Sequence, residues 1–173
     1  KVNETSENES YKDVDIRNVV KPGMPIVVQA KRAENDKKGA RISTHISLSG
    51  KYMVLMPNAN FITISHKIED EKECKRIKEI VKELLPENMG AIIRTLAQNQ
   101  GKEALKKDAE KLLSNWYEIE EKSKEINHAP CIIYEGISPI QRILNDLEEN
   151  DINSIITNNE ETYPYFVFNT RID

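Results

Sequence analysis

Met89-Gly90-Ala91-Ile92-Ile93-Arg94-Thr95 is an apolar run that ends on a cation and a hydroxyl. A run this short predicts a buried strand emerging into polar chain rather than a helix. Its neighbours on both sides read as helices. Upstream, Ile77, Ile80, Val81, Leu84 and Leu85 recur at helical spacing with Lys and Glu between them, and Pro86 ends that helix. Downstream, residues 98–101 read as a loop and a long helix is predicted over 102–124. There Leu105, Ala109, Leu112, Trp116 and Ile119 repeat at alternating spacings of four and three. Such a stripe is a core face, with Trp116 a core anchor rather than a platform for stacking bases.

Strands are expected before the first helix. Ile42, Thr44, Ile46 and Leu48 alternate with Ser43, His45 and Ser47, a period of two that predicts a half-buried strand over 42–48. The apolar stretch 26–30, entered through the Pro22-Gly23 turn, is its expected partner. Ser49-Gly50 predicts a turn into a third strand over 52–56, Pro57-Asn58 breaks it, and residues 61–66 offer a fourth. Ala129-Pro130 marks a junction. Beyond it a strand over 131–134, a helix over 139–147, a strand over 152–157 and a final element over 163–173 are predicted. This last portion has too few elements to close a sheet alone, so it is expected to belong to a larger α/β domain. Residues 1–10 are polar and expected to be mobile.

The 173 residues are 31% charged and 38% hydrophobic, as in a water-soluble globular protein. No apolar run approaches the roughly 20 residues needed to span a bilayer. The first ten residues lack the apolar centre of a signal peptide, so a cytoplasmic protein is expected. The chain opens on Lys1 rather than Met, which suggests a piece of a longer protein. Cys74, on a predicted helix, and Cys131, opening a predicted strand, are expected as buried reduced thiols. His45, His66 and His128 show no metal-ligand spacing, and the carboxylates are spaced along helices for solubility.

A net charge of −4 argues against a broad surface that coats nucleic acid, yet leaves room for a small anion site. Two places qualify. Lys31, Arg32, Lys37, Lys38 and Arg41 form a basic stretch diluted by Glu34 and Asp36, a pattern that is ordinarily solvated loop. Arg94-Thr95 combines a planar fork of donors with a hydroxyl, and backbone N–H groups at a strand end add to such a cradle. That set suits a terminal phosphate, which carries more free oxygens and more charge than an internal one. An arginine ending a strand is, by itself, more often a surface residue or a salt-bridge partner.

The surrounding blocks add to this. Gln29, Lys38-Gly39-Ala40-Arg41, Ile46-Ser47-Leu48-Ser49-Gly50-Lys51-Tyr52-Met53-Val54-Leu55-Met56-Pro57, Ile64-Ser65-His66-Lys67-Ile68, the 89–95 run, Asp108, Trp116, Ala129-Pro130 and the stretch 142–146 occur in one order between about residues 15 and 160. Together they resemble the ribonuclease E/G family of bacterial endoribonucleases. The resemblance implies an α+β chain: a small mixed-sheet 5′-sensor domain with two helices over 45–137, preceded over 1–44 by part of an OB-type RNA-binding barrel. Part of an RNase H-like α/β domain would follow over 138–173.

The resemblance also implies roles. Arg94 and Thr95 match the family's pair that holds a 5′-monophosphate on single-stranded RNA, and Gly50 and Val54 match the rest of that pocket. Gly50 leaves room for close approach, while Val54 is equally suited to a first base or to the core. Lys38, Arg41 and Lys67 are candidates for the RNA backbone. No cofactor and no catalytic residue are expected in this chain, because the family's magnesium carboxylates and its C-P-x-C zinc motif, which ties subunits into homo-oligomers, lie in regions absent here. Two departures stand out. His66 and Lys67 replace two arginines, exchanging forks for a partly charged ring and a point charge. Leu96 replaces a small residue at the pocket rim. The alternative is a structural or protein-interaction piece whose pocket is no longer used, with a self-sufficient nuclease as a third reading.

Overall fold

The computed structural model describes residues 15–138 together with Ile140, Arg142, Ile143 and Ile156. The fold is α+β. In chain order the described elements are α1 (Ile16–Val19), β1 (Gln29–Arg32), β2 (Arg41–Ser43), β3 (Leu48–Ser49), β4 (Met53–Met56), β5 (Ile62–Ile64), α2 (Glu71–Leu84), β6 (Gly90–Ile93), a 3₁₀ turn (Thr95–Ala97) and α3 (Lys102–Glu125).

Two sheets form. β1 and β2 make an antiparallel pair, and the larger sheet has the order β3-β4-β6-β5. In it β4 runs antiparallel to β3 and β6, whereas β5 and β6 are parallel, with Ile62 opposite Ala91 and Ile64 opposite Ile93. A parallel pair needs a crossover, and α2 supplies it. The Asp70 side chain caps that helix by accepting from the Lys72 N–H, and the helix stops before Pro86. The parallel pairing brings the C-terminal ends of β5 and β6 together, where β4 begins.

One face of the sheet carries the core. Met53, Leu55, Ala91 and Ile93 meet Ile77 and Val81 of α2 and Leu105, Ala109, Leu112 and Ile119 of α3, all buried. Each fully buried side chain of the Met53 or Leu105 size is worth about 1.5–3 kcal/mol. The predicted stripe of α3 is therefore its buried face, with Trp116 packed half-buried against the core. Alternation leaves Val54 half-buried and Thr63 and Ile92 exposed on the other face.

Several expected elements are redrawn. The strand expected over 42–48 is two pieces, β2 and β3. Between them the Gln29 side chain takes the place of a strand: its amide donates to the Ser47 carbonyl at 2.9 Å and its oxygen accepts from the Ser47 N–H at 3.0 Å. Ile46 and Leu48 are buried but Ile42 is 61% exposed, so the alternation spans two surfaces. β1 begins at Gln29 and the stretch 20–28 is irregular. Over 11–44 the described residues hold one helical turn and one hairpin.

No strand forms over 131–134. That apolar run packs side chains instead of pairing backbone: Ile133 and Tyr134 lie against the core while Ile132 is exposed. Cys131 is exposed too, contrary to its expected burial, whereas Cys74 is half-buried with its Sγ donating to the Ile68 carbonyl at 3.5 Å. Ile140, Arg142 and Ile143 are helical, with the Arg142 N–H donating to the Ser138 carbonyl. The rest of the helix predicted over 139–147, residues 1–10, and the elements predicted over 152–157 and 163–173 lie outside the described residues, Ile156 apart.

Candidate functional site

Arg94 and Thr95 stand where β6 ends, beside the start of β4 and the end of β5. The Arg94 N–H continues the ladder by donating to the Tyr52 carbonyl at 2.8 Å. Its side chain turns to the same stretch: Nη1 donates to the Gly50 carbonyl at 2.9 Å. That bond occupies one donor of a five-donor group, and Arg94 has a further interaction as well. Arg94 and Gly50 are thus brought into direct contact. Thr95 opens the 3₁₀ turn, and its Oγ1 lies 3.0 Å from Ser65 Oγ across the β5–β6 boundary. Both Arg94 and Thr95 are half-buried, and neither is sealed under the core.

Ser65 organises the neighbouring loop. Its N–H donates to the Ile93 carbonyl at 2.9 Å, and its Oγ accepts from the Lys67 N–H at 3.4 Å. His66 and Lys67 are therefore carried, exposed, on a turn whose base is bonded to Thr95. Val54 lies opposite Ile92 and Ser49 on the sheet face away from the helices. It belongs to the surface of the sheet, not to the core under it.

The turn at Gly50 has a second partner. One Asp108 oxygen accepts from the Lys51 N–H at 3.0 Å, and the other accepts from the N–H groups of Tyr52 at 2.8 Å and Met53 at 3.1 Å. A Cβ at Gly50 would sit 2.5 Å from that carboxylate, so glycine is required here by the chain's own packing. Asp108 stood in the sequence among the blocks that carry the family resemblance, on the predicted helix between Leu105 and Ala109, with no role attached. Nothing in the spacing pointed it at residues 51–53. The three N–H groups that an anion nest would offer are already occupied by this internal carboxylate.

Lys38 and Arg41 stand on the other sheet. The β1–β2 connection folds back through reciprocal bonds between Asn35 and Lys38, which leaves Lys38 exposed. Arg41 is exposed and faces Arg32 directly across the strands. Like charges so opposed repel. Lys31, bonded to Gln29 Oε1 and to Ser47 Oγ, has its pKa lowered, first by desolvation and then by the charge of Arg41. The hairpin is thus a small concentration of positive charge in an acidic chain.

Behind the site, Glu73 bonds the Arg76 guanidinium through both oxygens at 2.7 Å and accepts from the Asn99 N–H at 2.8 Å. Arg76 also donates to the Gln100 carbonyl. Asn99 has a positive φ of 61° and needs this support. The Arg76 guanidinium, bonded to Glu73, holds its carboxyl down at about 2. Among the described residues no group of three His, Cys, Asp or Glu is arranged to hold a metal ion. No helix among them is long and apolar enough to cross a membrane.

The model of the ribonuclease E/G family matches residues 47–168, which includes all of the Gly50, Ser65, Arg94 and Asp108 arrangement. The chain belongs to the ribonuclease E/G family. It is 41% identical over 155 residues to a ribonuclease E-type protein of Buchnera aphidicola subsp. Baizongia pistaciae, covering 88% of this chain and 37% of the relative. Ribonuclease G of Escherichia coli is 34% identical over 149 residues, covering 86% of this chain and 30% of that protein. Ribonuclease E of a Nostoc species is 30% identical over 141 residues, covering 82% and 20%. The chain thus spans about a third of the length of the first two ribonuclease E/G relatives.

Proposed function

We propose that this chain is the RNA-binding and 5′-monophosphate-sensing portion of an endoribonuclease of RNA processing and decay. One observation carries the reading. Arg94, Thr95, Ser65 and Gly50 converge at one end of the four-stranded sheet, with the guanidinium held on the Gly50 carbonyl at 2.9 Å. A terminal phosphate beside Arg94 and Thr95 accepts charge-assisted bonds from the first and a hydroxyl bond from the second. The half-exposed surface at Val54 and Ile92 is apolar and lies on the sheet face that alternation also assigns to Arg94, which suits the first base. Lys67 on the Ser65 turn, and Lys38 and Arg41 on the hairpin, supply charge for the following phosphates.

Within this reading residues 45–137 are the sensor, residues 1–44 contribute to an OB-type barrel and residues 138–173 to an RNase H-like domain. RNA cutting, with its magnesium, and zinc-linked assembly belong to the longer protein.

The test is equilibrium binding of two short single-stranded RNAs that differ only in a 5′-monophosphate or a 5′-hydroxyl. The phosphorylated RNA is expected to bind more tightly. A charge-assisted bond contributes about 1.5–3 kcal/mol, so Arg94→Ala lowers its affinity by roughly ten- to a hundredfold. The hydroxyl RNA loses little. Equal affinity of the wild-type chain for both RNAs would sink the proposal.

A further inference from the structure

The turn at residues 50–53 is gripped from two sides. Its N–H groups, those of Lys51, Tyr52 and Met53, are held by the Asp108 carboxylate. Its carbonyls, those of Gly50 and Tyr52, receive the Arg94 side chain and the Arg94 N–H. Asp108 itself is placed by the core, since Leu105, Ala109 and Leu112 of the same helix face are buried. An aspartate in a helix interior is intrinsically unfavourable. This one stands where both oxygens leave the helix to bind a turn 55 to 57 residues away.

We infer that Asp108 is a positioning residue of the phosphate pocket: it acts through the turn at Gly50 to aim the Arg94 guanidinium, and never touches RNA. The inference rests on the sensing function proposed above and names the residue that sets its selectivity. A carboxylate is the group the geometry requires. One oxygen faces a single N–H and the other faces two, so both must accept. An asparagine offers one accepting oxygen and turns an NH₂ toward N–H donors on the other side. The turn then shifts, carrying the Gly50 carbonyl away from Nη1. Because a guanidinium binds phosphate through a planar fork, a small rotation lowers the preference for a 5′-phosphate without removing any charge from the RNA-facing surface.

A double-mutant cycle on the 173-residue chain tests this, with 5′-monophosphate and 5′-hydroxyl RNAs as the probes and the ratio of their affinities as the readout. Asp108→Asn is expected to cut that ratio by about tenfold while affinity for the hydroxyl RNA stays within about twofold. Combined with Arg94→Ala it adds nothing further, because both changes remove the same contact. Gly50→Ala, whose Cβ would sit 2.5 Å from the Asp108 oxygen, gives a second route to the same displacement with every charge retained, and a loss of the 5′-phosphate preference is expected there too. Losses that add across the cycle overturn the inference and leave sensing intact. So does a full preference in Asp108→Asn or, where that variant fails to fold, in Gly50→Ala. A wild-type chain with no preference overturns the sensing proposal and this inference together. If neither variant folds, Asp108 serves stability alone, and the inference is likewise overturned.

Discussion

Arg94 is recognisable as a candidate in the primary structure because an apolar run ends on it. What it bonds to is not. The Nη1 bond to the Gly50 carbonyl joins residues 44 positions apart, and only the sheet brings them together. The chemistry of that bond yields a sharp expectation. Arg94→Lys keeps the charge but loses the fork, so the affinity for 5′-phosphorylated RNA falls by about tenfold, a loss closer to that of Arg94→Ala than to wild type. Glu73 holds the chain that follows the 3₁₀ turn, at Asn99. Its folded pKa of about 2 is depressed from 4.5 by the bonded Arg76. The stability it contributes is therefore present above pH 4.5 and is lost as pH falls toward 2. Urea denaturation across that window should show a steeper loss in the wild type than in Glu73→Gln, and parallel curves would contradict it.

The secondary elements divide by how locally they are encoded. α2 and α3 were legible because helical spacing of apolar residues is a local pattern: α3 falls within a residue of expectation, and α2 ends just before Pro86 as expected. β4 and β6 were legible as apolar runs bounded by turns. The misjudged elements fail for one reason: strand formation is settled by a partner elsewhere. Residues 44–47 alternate like a strand, but the Gln29 side chain takes the backbone groups of Ser47. Residues 131–134 are apolar like a strand, but Ile133 and Tyr134 pack on the core without a ladder. The parallel β5–β6 contact also has a residue that no local pattern demands. A Cβ at Gly90 would lie 2.4 Å from the Phe61 carbonyl and 3.1 Å from that of Ala59. Backbone cannot yield as a flexible side chain does, so Gly90→Ala is expected to cost about 1–3 kcal/mol, read as a lower urea midpoint at unchanged slope.

For the whole chain, charge and topology point the same way. An overall charge of −4 coexists with a hairpin on which Arg32 opposes Arg41, so contacts to RNA should be few and local. Affinity for the phosphorylated RNA is expected to decline gently with salt. Arg41→Gln should reduce the slope of log affinity against log salt by about 0.7 while leaving the preference for a 5′-phosphate unchanged. A changed preference with an unchanged slope would place Arg41 in the pocket instead. The primary structure alone determined the two helices, the apolar strand ending in Arg94-Thr95 and the family, because periodicity, turn chemistry and short motifs are carried by neighbouring residues. Tertiary structure decided the rest: that Arg94 meets Gly50, that Thr95 meets Ser65, and that Asp108 holds the turn between them. Each is a contact between segments 30 or more positions apart, formed only when a parallel crossover and a buried helix stripe bring distant backbone together.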